Sequence, residues 1–214
     1  MENYKKCKVE NCENKALYKS GQYKGLCNKH HIQLYRYGKI FKRTYRDKNE
    51  IIDCGNYYEI CLYKGCSEQI EVARTKIDKE DLDKVKDYKW NLDNSTGYVV
   101  TNINSHIKKH LHLPLHQLIM GKPPIEYQVD HKFGDKLDNR KYNLRFATNS
   151  QNQMNRKNVK GYYWNKQTKK WQTQIMLNGK SIHLGSFTDE QTVANVAKEA
   201  RLKYFGEFAY KDNN

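Results

Sequence analysis

The sequence predicts an α+β protein assembled from several small modules instead of one large domain. Hydrophobic residues make up 37% of the 214 residues, a share below that of most globular domains, so a single large core is not expected. Alternating runs typical of strands are interspersed with segments of helical spacing. The net charge also changes sign along the chain. We therefore expect three modules, over residues 1–48, 49–156 and 157–214.

The chain is strongly basic, with 39 basic and 24 acidic residues and a formal net charge of +15. Residues 1–48 contribute +9 and residues 152–214 contribute +6, whereas residues 49–93 carry −4 and residues 94–151 carry +4. A balance this basic is typical of proteins that bind polyanions, most often nucleic acid. A basic surface that only aids solubility is the alternative, and we favour nucleic-acid binding.

The sequence has no run of 18 apolar residues, and its first residues lack the apolar core of a signal peptide. We therefore expect a cytoplasmic protein without a membrane span. Cysteines stay reduced in that compartment, so the six cysteines indicate metal binding or burial before disulfides.

Three cysteines and a histidine near the N-terminus have the spacing of a zinc site. The pattern C-x4-C-x14-C-x2-H supplies two ligand pairs, Cys7 with Cys12 and Cys27 with His30. About 40 residues cannot build a sufficient core, so Zn²⁺ would supply the missing folding energy. His31 is an alternative fourth ligand, and scattered thiols without metal are the alternative to the whole site. The stretches CKVENC, GLCNKHH and LYRYGK resemble a small zinc module at the N-terminus of phage-encoded proteins.

The segment QVDHKFGDKLDNRKYNLRFATNSQNQ predicts the order strand, loop, strand, helix. Asp130 and His131 end the first strand, and residues 143–147 form the second. Thr148 and Gln151 have the spacing of a capping box, so the helix begins directly after the second strand.

An asparagine in the first turn of that helix can face back to the end of the first strand. We expect this residue to be Asn152, with Asn149 and Asn155 as alternatives, and we expect Asn139 to shape the loop. Carboxylate and amide oxygens suit Mg²⁺ or another hard divalent ion. The adjacent histidine is suited to taking a proton from water. A metal beside a base is the minimum that phosphodiester hydrolysis needs.

The motifs LPLHQLIMG, DH, GDKLDN, YNLR and SQNQ resemble the HNH nuclease family, whose fold is a ββα-metal motif. The resemblance covers about residues 56–156. It implies that His131 is the general base and that Asp130 and Asn152 bind the divalent metal. It further implies that Asn143 orients the His131 ring through a hydrogen bond.

The last module predicts three strands followed by one helix, over residues 160–210. Alternation along the second strand separates an apolar face, toward the helix, from a polar face that carries Lys170 and Gln172. Thr188, with Gln191 three residues on, predicts the start of the helix. The motifs KKW, HLGSF and FGEFA resemble the plant ethylene-response-factor (Apetala-type) domain. That resemblance implies DNA binding, although the base-reading arginines and tryptophans of that family are mostly absent.

We expect the DNA contacts to come from basic and polar side chains of the second and third modules. The candidates are His116, Arg145, Arg156, Lys157, Tyr163, Lys170, Gln172, Gln174, Lys180 and His183. For His116 a second interpretation is open, in which it packs under the nuclease site.

Together these patterns predict a metal-dependent endonuclease of the phage homing type, acting on double-stranded DNA and on no small molecule. The alternative is a non-catalytic, sequence-specific DNA-binding regulator that keeps the core only as a scaffold. The patterns leave the oligomeric state open.

Overall fold

The computed structural model describes seven stretches of the chain. These are residues 5–10, 12–45, 47–65, 68–103, 111–157, 159–177 and 179–210. The chain divides into two compact units, one of residues 1–47 with 64–71 and one of residues 48–63 with 72–214. Our separation of the second unit into a nuclease module and a C-terminal module therefore stays a prediction.

The first unit contains one helix, α1 (Asn28–Tyr37), among its described residues. Cys27 is the residue before the helix, so Cys27 and His30 lie one turn apart on the same side. Gly38 ends the helix in the left-handed region, with φ of 68°, and its N–H donates to the carbonyl of Leu34. The small core of the unit is formed by Cys7, Leu26 and Cys27.

Strands β1 (Ile51–Asp53), β2 (Tyr57–Lys64) and β3 (Ile70–Asp78) form a three-stranded sheet in the order β1-β2-β3. Most of its residues belong to the second unit. A 3-10 turn (Lys79–Asp81) and a short helix α2 (Leu82–Val85) follow. Three more strands form a second sheet, and a helix follows them directly. They are β4 (Asn91–Leu92), β5 (Val99–Ile103), β6 (Leu111–Pro114) and α3 (Leu115–Met120).

The predicted order strand, loop, strand, helix is confirmed. Strands β7 (Tyr127–His131) and β8 (Leu144–Thr148) pair antiparallel, with Asp130 opposite Arg145. A 3-10 turn, Lys141–Asn143, precedes β8, and α4 (Asn149–Met154) follows it. The capping box is formed as expected: the Thr148 side chain accepts from the backbone of Gln151, and the Gln151 side chain accepts from the backbone of Thr148.

The last part of the unit has the three strands and helix that alternation predicts. These are β9 (Tyr162–Asn165), β10 (Lys170–Leu177), β11 (Lys180–Phe187) and α5 (Glu190–Phe205), with a 3-10 turn at Gly206–Phe208. Helix α5 buries Val193, Ala197 and Ala200. Its N-cap is Asp189, whose carboxylate accepts from the Thr192 N–H at 2.7 Å. The helix therefore begins one residue later than the Thr188 signal indicates.

One hydrophobic core joins the first sheet of the second unit to the nuclease strands. Its buried members are Ile60, Leu62, Ile77, Val85, Trp90, Val99, Leu115, Ile119, Val129 and Leu144. Because residues from β2 and β3 share this core with residues from β7 and β8, the first sheet forms a fixed support for the end of β7. Within the described ranges, no helix is both long and apolar enough to cross a membrane.

Candidate nuclease centre and metal-binding cluster

Asp130 and His131 are the last two residues of β7, and both are buried. The His131 ring packs against two other rings, those of Tyr98 and His116. The Tyr98 ring stacks on it with centroids 5.8 Å apart, and the His116 ring meets it edge-on at 5.0 Å. Burial lowers the pKa of His131 below its ordinary value, although the hydrogen bond with Asn139 and the charge of Asp130 oppose this. The ring is therefore neutral near pH 7 and able to accept a proton.

The expectation that Asn143 orients the His131 ring is wrong. The Asn143 amide donates to the carbonyls of Asp135 (3.0 Å) and Asp138 (2.7 Å), and its Oδ1 accepts from the Phe133 N–H at 3.0 Å. These three bonds close the loop between β7 and β8, so the side chain is committed to loop shape.

Asn139 contacts the ring instead. Its Oδ1 lies 3.2 Å from His131 Nε2, in a buried environment. The LDN motif contains this asparagine, but its position in a loop predicts only a role in loop shape. Asn139 and Asn143 thus have the reverse of their expected roles.

The Asp130 carboxylate is held by two side chains. Arg145 Nε donates to Oδ2 at 2.9 Å, and Asn155 Nδ2 donates to Oδ2 at 3.0 Å and to Oδ1 at 3.2 Å. The same Asn155 group donates to the His131 carbonyl at 2.8 Å. Asn155 therefore connects the Asp130 carboxylate and the His131 backbone carbonyl to the end of α4.

The expected DNA contact from Arg145 is not what the structure shows. The side chain is 12% exposed, and its guanidinium also donates to the Glu207 carbonyl at 2.7 Å and lies 4.3 Å from the Phe208 ring centroid. A cross-strand carboxylate directly opposite on β7 explains this position. Arg145 is an internal partner of Asp130.

His116 also faces inward. It is 4% exposed in α3, its ring is 4.9 Å from Tyr98, and its Nδ1 has no hydrogen-bond partner among the described residues. Burial, followed by the charges of His131 and Lys136, lowers the pKa of His116 to about 3. The structure thus supports packing beside the nuclease centre and contradicts the assignment to DNA contact.

The donor atoms at the end of β7 suit a hard divalent cation. Among the described residues, Asp130 Oδ1 accepts only from Asn155, which leaves it capacity for another partner. Asn155 Oδ1 is buried without a hydrogen bond to any described residue, and a buried oxygen of this kind needs a donor or a cation. Asn152 lies one turn earlier on α4, with a half-buried side chain. Carboxylate and amide oxygens are the ligands that such ions prefer.

Cys7, Cys12, Cys27 and His30 come together in the first unit, and their ligand atoms all lie within 4.8 Å of one another. The Cys7 Sγ and the Cys27 Sγ are 3.2 Å and 3.5 Å from His30 Nδ1, and the Cys12 and Cys27 sulfurs are 3.9 Å apart. Tetrahedral ligands around zinc, with Zn–S near 2.3 Å, stand roughly 3.5–3.8 Å from one another.

His30, not His31, belongs to this cluster. The His31 Nδ1 is 2.7 Å from the Tyr18 hydroxyl, and the two rings stack with centroids 4.1 Å apart. Burial lowers the pKa of His30, which favours the neutral imidazole that a metal requires. Burial alone would raise the pKa of Cys7, but hydrogen bonds from the backbone of Val9 and Cys27 lower it overall.

The polar face of the C-terminal sheet is exposed, as alternation along β10 predicts. Exposed members of the expected DNA-binding set are Arg156, Lys157, Tyr163, Lys170, Gln174, Lys180 and His183. The Gln172 side chain is half-buried, and its amide oxygen already accepts hydrogen bonds from Tyr163 (3.0 Å) and Asn165 (3.1 Å). Ser181 likewise donates to Gln174 at 3.1 Å.

Comparison with known proteins identifies the family to which this chain belongs. Residues 109–154 match the model of the HNH endonuclease family. An uncharacterized HNH endonuclease of Acanthamoeba polyphaga mimivirus is 34% identical over 141 residues, which are 64% of this chain and 72% of the relative. No solved structure matches. The chain therefore belongs to the HNH endonuclease family, and it is an endonuclease.

Proposed function

We propose that the chain hydrolyses phosphodiester bonds of double-stranded DNA with a divalent metal and His131 as the general base. The observation that carries this proposal is the neutral, buried His131 ring next to the Asp130 carboxylate. Asn155, directly after α4, donates both to that carboxylate and to the His131 carbonyl. The family match supports the same chemistry. His131 accepts the proton of the attacking water as its oxygen bonds to phosphorus and the P–O3′ bond breaks. The departing 3′ oxygen takes a proton from solvent water, so the products are a 5′-phosphate and a 3′-hydroxyl.

Asp130 and Asn152 would hold the metal. When bound, Mg²⁺ or another divalent ion stabilises the charge on the scissile phosphate and the leaving oxygen. We assign Asn155 to holding the Asp130 carboxylate, because its amide nitrogen is already bonded to that group and to the His131 carbonyl. Asn152→Ala should then raise the Mg²⁺ concentration for half-maximal cleavage by roughly 10- to 100-fold. Asn152→Asp should retain metal binding, whereas Asn155→Asp places a second carboxylate beside Asp130 and should abolish activity.

The test of the function is Mg²⁺-dependent nicking of supercoiled plasmids that carry a library of viral genomic fragments. His131→Ala should reduce cleavage by roughly 10²- to 10⁴-fold while DNA affinity in a gel-shift assay is retained. His112→Ala, an exposed histidine of β6, is the matched control. Cleavage by His131→Ala at the wild-type rate would refute the assignment of His131 as the general base. Tight, salt-sensitive binding by a wild-type protein that never cleaves would favour the non-catalytic regulator.

We further propose that Zn²⁺ binds Cys7, Cys12, Cys27 and His30 Nδ1. Thiolate and imidazole ligands at near-tetrahedral separations fit this ion. Metal analysis of purified protein should find one zinc per chain, and Cys27→Ser should lose it. Because the described core of this unit is small, removal of zinc should also unfold α1, seen as loss of amide-exchange protection over residues 28–37. Cys54→Ser, at an exposed cysteine, should change neither result.

The exposed polar sheet face and the basic residues after α4 would bind the DNA backbone and base edges. Lys170 and Lys180 lie at the start of β10 and of β11, where phosphate contacts would give sequence-independent affinity. The double substitution Lys170→Ala/Lys180→Ala should weaken binding and reduce its salt dependence. We extend the proposal to a virus-borne, homing-type role in the host cytoplasm, which the viral relative supports.

A further inference from the structure

Asn139 is bonded on both sides of its amide group, and this determines which way the amide faces. The residue is 1% exposed. Its Nδ2 donates to Thr75 Oγ1 at 2.8 Å and to the Lys136 carbonyl at 3.2 Å, while its Oδ1 lies 3.2 Å from His131 Nε2. Thr75, on β3, is fully buried.

The single hydroxyl proton of Thr75 is committed elsewhere, because Thr75 Oγ1 donates to the Leu137 carbonyl at 2.8 Å. A carbonyl can only accept, so Thr75 Oγ1 has no proton left for Asn139 and must accept from it. The Lys136 carbonyl also can only accept. The NH₂ group of Asn139 therefore faces these two oxygens, and the amide oxygen faces His131.

An amide oxygen has no proton to donate, so the hydrogen bond between Asn139 and His131 requires a proton on Nε2 of the ring. In the neutral ring the other nitrogen, Nδ1, then carries the free electron pair. The Tyr98 and His116 rings pack against the imidazole and restrict the rotation that would exchange its two nitrogens.

We infer that Thr75 and Asn139 are positioning residues that hold His131 as the Nε2–H tautomer, so that Nδ1 is the atom that accepts the proton of water. This inference rests on the proposed function of His131 and adds to it the atom and the residues that select it. The first sheet of the unit thereby reaches the nuclease centre: β3 also bonds the loop through Lys76, whose N–H donates to the Leu137 carbonyl at 2.8 Å and whose carbonyl accepts from the Asn139 N–H at 2.9 Å.

The test is ¹⁵N-histidine NMR of the full chain, which distinguishes Nε2–H from Nδ1–H by the couplings and shifts of the two nitrogens. His131→Gln identifies the His131 signals. The wild-type neutral ring should be the Nε2–H tautomer. Thr75→Val removes the acceptor that orients Asn139, so it should produce a mixture of tautomers and a kcat reduced by roughly 10- to 100-fold with KM unchanged.

Two further variants distinguish a general loss of protein stability from a loss of the His131 ring orientation. Thr75→Ser retains the hydroxyl and should restore the single tautomer and most of kcat. Thr101→Val makes the same change at another buried strand threonine and should leave the His131 signals and kcat as in wild type. A wild-type Nδ1–H ring overturns the inference, as does a folded Thr75→Val protein with unchanged tautomer and kcat.

The two proposals fail in different ways. If the protein cleaves DNA while its neutral His131 carries the proton on Nδ1, the tautomer assignment is refuted and the proposed function is kept. A protein with the Nε2–H ring that cleaves no DNA under any metal refutes the proposed function and still supports the assignment of the tautomer to Thr75 and Asn139.

Discussion

The ionised carboxylate of Asp138 stabilises the loop beside the nuclease centre. Its carboxylate accepts from Arg140 Nε at 2.8 Å, from Arg140 Nη2 at 2.6 Å and from the Tyr142 hydroxyl at 2.7 Å. Burial alone would raise the pKa of Asp138, but the hydrogen bonds from Arg140 and Tyr142 outweigh it and lower the pKa. The ionised form is thus favoured in the folded protein.

A carboxylate with a lowered pKa stabilises the fold above its unfolded pKa, about 3.9, and this contribution is lost as the pH falls through the folded pKa. Asp138→Asn should therefore lower the free energy of unfolding by about 2 kcal/mol at pH 7. The difference from wild type should shrink as the pH falls below about 4. Urea unfolding across this pH range measures both. Asp83→Asn, at an exposed aspartate, is the control, and a pH-independent difference would contradict the argument.

At the scale of single residues, the sequence placed Asp130 and His131 correctly at the end of a strand, because alternation and the following loop define that end. It could not distinguish Asn139 from Asn143. Both asparagines lie between β7 and β8, and a loop has no periodicity from which to predict side-chain direction. The bond from Thr75, 64 positions away in the chain, decides the matter, and long-range contacts of this kind are absent from a local pattern.

Helix α4 is the element on which the site most depends, and it has only six residues. A helix this short gains little from its own hydrogen bonds, so its cap and its packing determine whether it forms. Thr148→Ala removes the N-cap acceptor and should cost about 1 kcal/mol of unfolding free energy.

Because α4 carries Asn152 and leads into Asn155, the same substitution should also reduce nicking. Thr148→Ser keeps the cap and should restore both properties, whereas Ser150→Ala, inside the helix, should change neither. Urea unfolding and the nicking assay provide the two measurements. Loss of activity in Thr148→Ala without loss of stability would show that the cap acts in another way.

Elements with a strong local signal were predicted well. The capping box at Thr148 and the two faces of β10 formed as the sequence indicated. The start of α5 was displaced by one residue, because Thr188 and Asp189 are adjacent and both are good N-caps, and the structure uses the aspartate. A sequence pattern does not distinguish two adjacent N-cap candidates, because the choice between them depends on the path of the preceding strand.

At the scale of the whole molecule, the end of the chain's last helix is built into the nuclease centre. The Arg145 guanidinium, which holds Asp130, is itself held by the Glu207 carbonyl and the Phe208 ring in the 3-10 turn after α5. The Tyr210 ring lies close to Gly134 in the loop after β7, where an added methyl group would be 3.0 Å from it. Arg201 of α5 donates to the carbonyl of Met154, the last residue of α4, and to the carbonyl of Arg156, two residues further on. The C-terminal sheet and helix are therefore structurally continuous with the catalytic elements.

This continuity predicts that a substitution far from the DNA-binding face changes catalysis more than binding. Phe208→Ala removes the ring that packs on Arg145, so Arg145 and with it the Asp130 carboxylate should lose their fixed position. We expect kcat for nicking to fall by roughly 10-fold, the lower range for loss of a supporting contact, with KM and gel-shift affinity near wild type. Leu202→Ala, at an exposed position of α5, is the control for the loss of an apolar side chain. If Phe208→Ala instead weakened DNA affinity and left kcat unchanged, the C-terminal segment would act through DNA binding and not through Arg145.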